Sequence, residues 1–396
     1  MKQARQSKLA NPTLIYTQSG LREMCALLRT RPLIALDTES DSLYSYYPKV
    51  CLIQISTFAD PDDTDPRQVL DYLVDPLRLT RLDELGELLA DQAQEVVMHA
   101  AENDIFTLQR DFSFRFHHIF DTQLAARILG WQKVGLAKIL ESNFGLLSDK
   151  RMQRTNWGKR PLTPQQISYA QMDTHYLPAL RARQIEELKA ANRWEEAQDA
   201  FRQLATLDYS DRGNNERTMW SMRDVRKVPA EDTGVLEALW EWREHEAQHQ
   251  NRPPFKIAGD STLIRLAASR PTTPAALDAE GILSDSQVNR YGRQILETIQ
   301  AGTDRPLPSP PTNNHRPETL VNGKVQRRFE ALRSWRTKKA KERGVTADIV
   351  FTNSTLMEIA QHVPMTVAAL ETIPDVGPWK AKTYGPEIFP ILKKKQ

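Results

Sequence analysis

The sequence predicts an α/β domain with a mixed sheet, followed by two small all-α domains. Three observations lead there. Up to about residue 200, short apolar runs alternate with amphipathic stretches, the pattern of strands and helices packed in layers. Beyond that point the strand signal fades and helical spacing takes over. The helical part also repeats itself at a fixed offset of 93 residues: LEALWEWR (236–243) matches FEALRSWR (329–336), STL (261–263) matches STL (354–356), and TPAAL (273–277) matches TVAAL (366–370). The boundaries that follow are an α/β domain over 1–205, a polar linker or shell segment over 206–230, a first helical copy over 231–302, a Pro-rich linker over 303–323 and a second copy over 324–396.

The elements follow in order. LIYT (13–16) is apolar and β-branched enough for a short strand. Ser19 is placed to cap a helix over GLREMCALLRT, with Leu21, Cys25 and Leu28 on one stripe. LIALDT (33–38) is a continuous apolar run ending in a carboxylate, which suits a buried strand. VCLIQIS (50–56) reads as its hairpin partner and VLDYLVD (69–75) as a third strand. RLDELGELLADQ is an amphipathic helix, EVVMHA (95–100) another buried strand, and ENDIFTLQRDF a helix. HHIFDTQLAARILGW passes from strand to helix at Asp121-Thr122, so Asp121 reads as a helix cap. GLAKILESNFG is a helix closed by Gly145. The stretch 163–191 reads as a helix with Thr163 as its cap and Pro164 in its first turn. Trp242 and Trp335, at helical spacing among apolar residues, are expected in the cores of the two copies.

Composition narrows the function classes. At 396 residues the chain suits two or three domains. The only cysteines are Cys25 and Cys51, with no CxxC spacing, which argues against a disulfide framework or a thiolate zinc site and for a cytoplasmic setting. No apolar run has the length of a signal peptide or a bilayer span, so no membrane partner is expected. No GxxxxGK[ST] loop is present, which excludes ATP-driven unwinding by that device.

The net charge of +2 hides a division. Residues 1–205 carry 25 Lys/Arg against 27 Asp/Glu, residues 231–301 carry 7 against 11, and residues 324–396 carry 14 against 7. The second copy, with RRFEALRSWRTKKAKER, is therefore expected to touch nucleic acid, through Lys338, Lys339 and Lys341 among others. The acidic first copy is expected mainly to pack against the α/β domain. A solvated basic face is the alternative reading of the same charges.

Three short stretches gather the residues that can carry chemistry. Asp37 and Glu39 lie in LIALDTES, Asp104 in HAAENDIF, and Tyr169 and Asp173 in YAQMD. On a strand, Asp37 and Glu39 point to one face; on a helix, Tyr169 and Asp173 share a face. Carboxylates are the donors that hard cations such as Mg²⁺ or Mn²⁺ take. Two such cations, about 3.5–4 Å apart, can activate a water and stabilise both oxyanions of a phosphodiester hydrolysis. Each motif alone is common; their order within one α/β domain makes the signal. His99 has no second histidine to complete a metal pair and reads as structural.

The ordered set resembles the DEDD superfamily of 3′→5′ exonucleases, in its tyrosine subclass, and within it the ribonuclease D family. LIALDTES with YYPKVCLIQIS is similar to the first motif of that family, HAAENDIFTLQRDF with FDTQLAARILG to the second, and LSDKRMQRTNWGKRPLTPQQISYAQMDTHYLPAL to the third. The repeats resemble HRDC domains, and the likeness spans nearly the whole chain. It implies a ribonuclease H-like DEDD exonuclease domain followed by two HRDC domains. It implies that Asp37, Glu39, Asp104 and Asp173 ligate two divalent cations, Mg²⁺ or Mn²⁺, and that Tyr169 positions the attacking water. Ser40 departs from the aromatic or apolar residue common after the first motif.

The implied activity is that of a 3′→5′ exoribonuclease. It would release 5′-nucleoside monophosphates from structured RNA with a free 3′ end, such as tRNA precursors, without an obligate protein partner and consistent with a monomer. A DNA exonuclease is the first rival, opposed by the repeats and the lack of polymerase or helicase motifs. A non-catalytic nucleic-acid-binding protein is the second, opposed by the complete carboxylate set. Around the site, Tyr44, Tyr46 and Tyr47 either stack on terminal bases or pack at the strand end. Lys150, Arg151, Arg154, Lys159 and Arg160 surround Trp157, and this basic, aromatic-interrupted segment is expected to bind RNA backbone, with a solvated loop as the alternative.

Overall fold

Six strands hydrogen-bond into one mixed sheet in the order β1-β4-β3-β2-β5-β6. They are β1 (Thr13–Ile15), β2 (Leu33–Ser40), β3 (Val50–Phe58), β4 (Val69–Val74), β5 (Glu95–Met98) and β6 (Ile119–Asp121). The computed structural model describes residues 9–147, 151–209, 218–309 and 323–394. β2, β3 and β4 form an antiparallel meander, β1 runs parallel to β4, β5 parallel to β2, and β6 parallel to β5.

Eight helices accompany the sheet: α1 (Gln18–Leu28), α2 (Asp83–Leu89), α3 (Glu102–Phe112), α4 (Thr122–Leu129), α5 (Leu136–Phe144), α6 (Pro164–His175), α7 (Leu177–Ala190) and α8 (Trp194–Ala205). The alternation along β2 decides which core each residue enters. Ile34 and Leu36 pack with Leu21, Leu28, Leu85 and Leu108 of α1, α2 and α3. Leu33 and Ala35 pack with Ala126, Leu180 and Phe201 of α4, α7 and α8. Both faces are covered, which is why the strands read as unbroken apolar runs.

Two local expectations change. Thr17, not Ser19, caps α1: its backbone is extended and its hydroxyl accepts from the Gly20 N–H at 3.2 Å. The stretch 163–191 is two helices, with the break at Tyr176 (φ −95°, ψ −5°) just before Pro178, which has no N–H to continue the ladder.

By contact density the described residues of 1–40, 50–210 and 317–396 form one compact unit, and those of 41–49 and 211–316 a second. The first helical copy, in the second unit, comprises α9 (Thr233–His249), α10 (Pro254–Ile257), α11 (Asp260–Ser269), α12 (Pro274–Ala279) and α13 (Asp285–Thr303). The second copy, in the first unit, comprises α14 (Gly323–Arg343), α15 (Ala347–Val350), α16 (Asn353–His362), α17 (Val367–Glu371) and α18 (Pro378–Lys394). The duplication extends to single hydrogen bonds. Arg243 donates to the Ala258 carbonyl and to Asp260; at the same offset, Arg336 donates to the Phe351 carbonyl and to Asn353. Trp242 meets Tyr291, and Trp335 meets Tyr384, each edge-on with centroids 5.5 Å apart. The segment 206–230 is more than a linker: Met219, Met222 and Val225 are buried in the core of the first copy.

The copies have diverged at the end of their first helix. In the first copy that end grips the loop 41–49, the segment that follows β2. Asn251 accepts from the Tyr46 N–H at 3.1 Å, the Tyr46 hydroxyl meets Glu244 at 3.2 Å, Gln248 donates to the Tyr47 hydroxyl, and the Lys256 ammonium lies 4.0 Å from the Tyr44 ring centre. In the second copy the same end docks on the helices of the α/β domain. Arg343 is ion-paired with Glu196 of α8, which is 2% exposed, and also donates to Tyr384. Arg193 bridges the carbonyls of Ile128 and Arg343 at 2.6 and 2.7 Å. Gly377 lies so close to Asp199 and Gln203 that any Cβ would collide with them. The second copy thus packs on the α/β helices, with Arg343 reaching a buried carboxylate where Gln250, its counterpart, bonds Tyr291, Glu246 and Arg252 of its own copy.

Candidate active site

The cleft forms where neighbouring strands stop pairing. β2 is paired with β5 only over Leu33–Ala35, so Asp37, Thr38 and Glu39 run on beyond that pairing, bonded to β3 alone. A crevice at the carboxyl ends of parallel strands is where α/β sheets place ligands. Here its volume is about 460 Å³, and its walls include Asp37, Glu39, Asp104, Tyr169 and Asp173. The three sequence stretches are therefore brought to one place.

Local structure aims each side chain. Asp37 and Glu39 sit two apart on β2, and a register shift follows Glu39. Asp104 is in the first turn of α3, where a negative charge meets the positive helix end; the Thr38 hydroxyl donates to one of its oxygens. Tyr169 and Asp173 share a face of α6, which begins in a capping box between Thr163 and Gln166. α6 is locked to the sheet by the Ser56–Thr174 hydroxyl pair at 2.7 Å, and by Asp71, which accepts from Gln171 at 2.6 Å and faces His175 Nδ1 at 2.8 Å.

The electrostatics are those of acids buried close to one another. Burial, then Asp104, Asp173 and Glu39, hold the Asp37 carboxyl well above the usual range. Burial and then Asp173 and Asp104 push Glu39 up to about 9. Asp173 rises to about 8 and Asp104 to about 6, burial leading in both. The Tyr169 phenol is raised too, by burial and then by Asp173, Glu39 and Asp37, so it keeps its proton. It donates a hydrogen bond to Asp173 and accepts one from Gln153. Among the described residues no three acidic, histidine or cysteine side chains have closed to ligand distance around one point. A hard divalent cation would offset the charge of such a set. An all-oxygen donor set whose charges have no counter-ion fits that kind of cation.

The other expected binding residues divide. Trp157 is not available to a base: it is fully buried among Cys51, Leu52, Leu73 and Ala170, with its ring 6.2 Å from that of Tyr169. Arg160 is spent internally, bidentate on Asp75 at 2.6 and 2.8 Å and bonded to the carbonyls of Cys51 and Trp157. Arg151, Arg154 and Lys159 lie at the surface. Lys150 falls outside the described residues. Tyr46 is packed into the first copy, whereas Tyr47 is 59% exposed. Lys339 is tied to Glu387 at 2.8 Å and Glu342 at 3.3 Å, leaving Lys338 and Lys341 the more exposed of that trio. Asp121 caps α4, accepting from the Gln123 and Leu124 N–H groups. The sequence reading missed Gln123, Lys138 and Gln153 in the cleft wall, and His99 beside them. Nothing in the local sequence marks them, because α4, α5 and the segments after β5 and α5 meet at the site only by folding.

A mixed α/β sheet with four acids and a tyrosine in one cleft defines a hydrolytic 3′→5′ exonuclease. A family model described as 3′-5′ exonuclease matches residues 12–188, and HRDC domain models match residues 232–299 and 325–392. The chain is similar to ribonuclease D of Desulfotalea psychrophila, 31% identical over 286 residues, covering 72% of this chain and 74% of that relative. It is similar to ribonuclease D of Nitrobacter hamburgensis at 27% identity, covering 94% and 93%. The crystal structure of Escherichia coli RNase D shares the fold, with a TM-score of 0.65 at 24% identity, covering 97% of this chain and 99% of that one. A protein from Bifidobacterium adolescentis does so with a TM-score of 0.76 at 19% identity, covering 99% of each. The chain belongs to the ribonuclease D family and is a 3′→5′ exoribonuclease. Among the described residues no helix is long and apolar enough to cross a membrane.

Proposed function

We propose that Asp37, Glu39, Asp104 and Asp173 hold two divalent cations, Mg²⁺ or Mn²⁺, and that the enzyme trims structured RNAs such as tRNA precursors from the 3′ end, releasing 5′-nucleoside monophosphates. The convergence of these four carboxylates on one cleft carries the reading. When bound, such cations supply an activated water and offset charge on the leaving oxygen. The chain's own residues do the rest. Tyr169 keeps its proton, donates a hydrogen bond to Asp173 and accepts one from Gln153, which leaves its oxygen one further acceptor position to orient a water rather than act as a base. Trp157 backs the tyrosine ring and fixes its position. Arg151, Arg154 and Lys159, together with Lys338 and Lys341, offer cations for the RNA backbone. All five site residues come from one chain, so the site is complete without a second copy, and the buried free thiols Cys25 and Cys51 suit the cytoplasm.

The test uses purified protein and an Asp37→Ala variant on matched end-labelled RNA and DNA, with Mg²⁺, Mn²⁺ or EDTA. Stepwise shortening of RNA from the 3′ end by wild type alone, abolished by EDTA, is the expected result. Preference for DNA, or binding without cleavage under every metal condition, would overturn the reading.

A further inference from the structure

Each helix-borne carboxylate of the site is held by a hydroxyl. Asp173 on α6 takes a hydrogen bond from Tyr169 of the same helix. Asp104 on α3 takes its own from Thr38 of β2, 66 residues away in the chain. Strand alternation explains how Thr38 comes to be there. Ile34, Leu36 and Thr38 point to the sheet face that α1, α2 and α3 cover, and Thr38 pairs with Ile53, which packs in the same core as Ile105 and Leu108 of α3. Asp37 and Glu39 share the other face with Ala35. One strand thus supplies two of the acids and, from the residue between them, the donor to a third. Burial raises the carboxyls of Asp37 and Asp104, and Thr38 opposes it, through its N–H at Asp37 and through both hydroxyl and N–H at Asp104.

The choice of donor matters. A lysine or arginine beside Asp104 would orient the carboxylate but also neutralise it. A hydroxyl spends one proton on one oxygen and brings no charge, so the carboxylate keeps its remaining lone pairs for a cation. Threonine is also stiff at χ1, which fixes the donor once the strand is in place. Among the described residues no other side chain donates to the Asp104 carboxylate. The backbone around Asp104 is mounted separately. Thr107 donates to its carbonyl at 3.2 Å, and just ahead of α3 Asp121 accepts from the Ala100 and Ala101 N–H groups at 3.2 and 2.8 Å. Loss of the Thr38 hydroxyl therefore leaves the start of α3 in place and frees the carboxylate to turn about its side-chain bonds. Groups that hydrogen-bond a metal-ligating carboxylate tune its affinity for the metal.

We propose that Thr38 is a positioning residue whose hydroxyl holds the Asp104 carboxylate in the orientation that binds a divalent cation. This rests on the two-cation reading above. The test compares wild type with Thr38→Val, Thr38→Ala, Thr38→Ser and Asp37→Ala. Valine keeps the shape and the β-branch without the donor, alanine removes the donor with less bulk, and serine keeps it. Mn²⁺ affinity is read without RNA by electron paramagnetic resonance, and melting in EDTA checks that each variant is folded. The kcat and KM for an RNA oligomer are measured at a Mg²⁺ concentration near the wild-type midpoint. Thr38→Val and Thr38→Ala should bind Mn²⁺ about 10–100-fold more weakly than wild type. Their kcat should fall while KM for RNA is unchanged, and Thr38→Ser should recover most of both losses. Wild-type Mn²⁺ affinity in the folded valine or alanine variant, a loss confined to KM, or a serine variant as weak as the other two overturns the assignment. The two-cation reading then still stands if wild type binds Mn²⁺ that Asp37→Ala does not. Wild type binding no more Mn²⁺ than Asp37→Ala overturns both.

Discussion

Removal of the Arg343 side chain strikes the joint between the second helical copy and α8. Glu196 is 2% exposed and is met by both terminal nitrogens of Arg343, whose own side chain is 16% exposed. Arg343→Ala strands that carboxylate in the interior. Breaking a buried pair from one side costs about 3–5 kcal/mol, mostly as the penalty on the abandoned charge. Replacing both partners with apolar side chains removes the stranded charge, so Arg343→Met combined with Glu196→Met should recover most of the loss. Gln250→Ala, at the matching position of the first copy, removes bonds to Tyr291 and Glu246 but strands no buried ion, and should cost about 1–2 kcal/mol. Urea unfolding followed by tryptophan fluorescence gives the midpoints, and hydrogen exchange of α18 amides localises the effect. A loss under about 1 kcal/mol in Arg343→Ala, or single-variant losses that simply add in the double variant, would refute the reasoning.

Four further outcomes are expected. Trp157→Ala should destabilise by about 3–5 kcal/mol through the cavity it leaves, with RNA affinity of the folded fraction unchanged; normal folding with lost affinity would reinstate a stacking role. Tyr169→Phe should lower kcat by about 10²–10³ with little change in RNA Kd, as for loss of one preorganised hydrogen bond, and a loss under fivefold would contradict water positioning. Unfolded carboxylates titrate near 4, while Glu39 and Asp173 hold their protons to about 9 and 8, so without a cation the folded chain binds more protons than the unfolded one and loses stability as pH rises through that window; the gain in Tm from Mg²⁺ over EDTA should therefore be larger at pH 8.5 than at pH 6, and an equal gain would count against the site. Replacing Lys338 and Lys341 by alanine should lower the salt slope of RNA binding by about 0.7 for each phosphate that is no longer neutralised, read from titrations at several salt concentrations, with an unchanged slope placing RNA elsewhere.

Much of the site was legible because its signals are local. Spacing of two on a strand and four on a helix aims Asp37 with Glu39 and Tyr169 with Asp173 whatever surrounds them. The helical duplication was legible for the same reason, since equal spacing of Trp, Leu and Tyr demands equal cores. Reading Trp157 and Arg160 as part of a nucleic-acid surface went astray because composition does not reveal what is buried or what a charge is paired with. Arg160 finds Asp75 and the Cys51 carbonyl 85 and 109 residues away, and those bonds make that one arginine an internal clamp.

By itself, then, the sequence determined the order of strands and helices, the acidic set and the repeat, since each follows from periodicity within a few turns of chain. Tertiary structure alone decided the fate of each charge and polar atom. Glu196 meets Arg343 across 147 residues, and Arg160 meets Asp75 across 85. Burial and pairing are long-range properties, so the same lysine or arginine is a solvated face, an internal clamp or a docking bolt according to which distant group the fold sets against it.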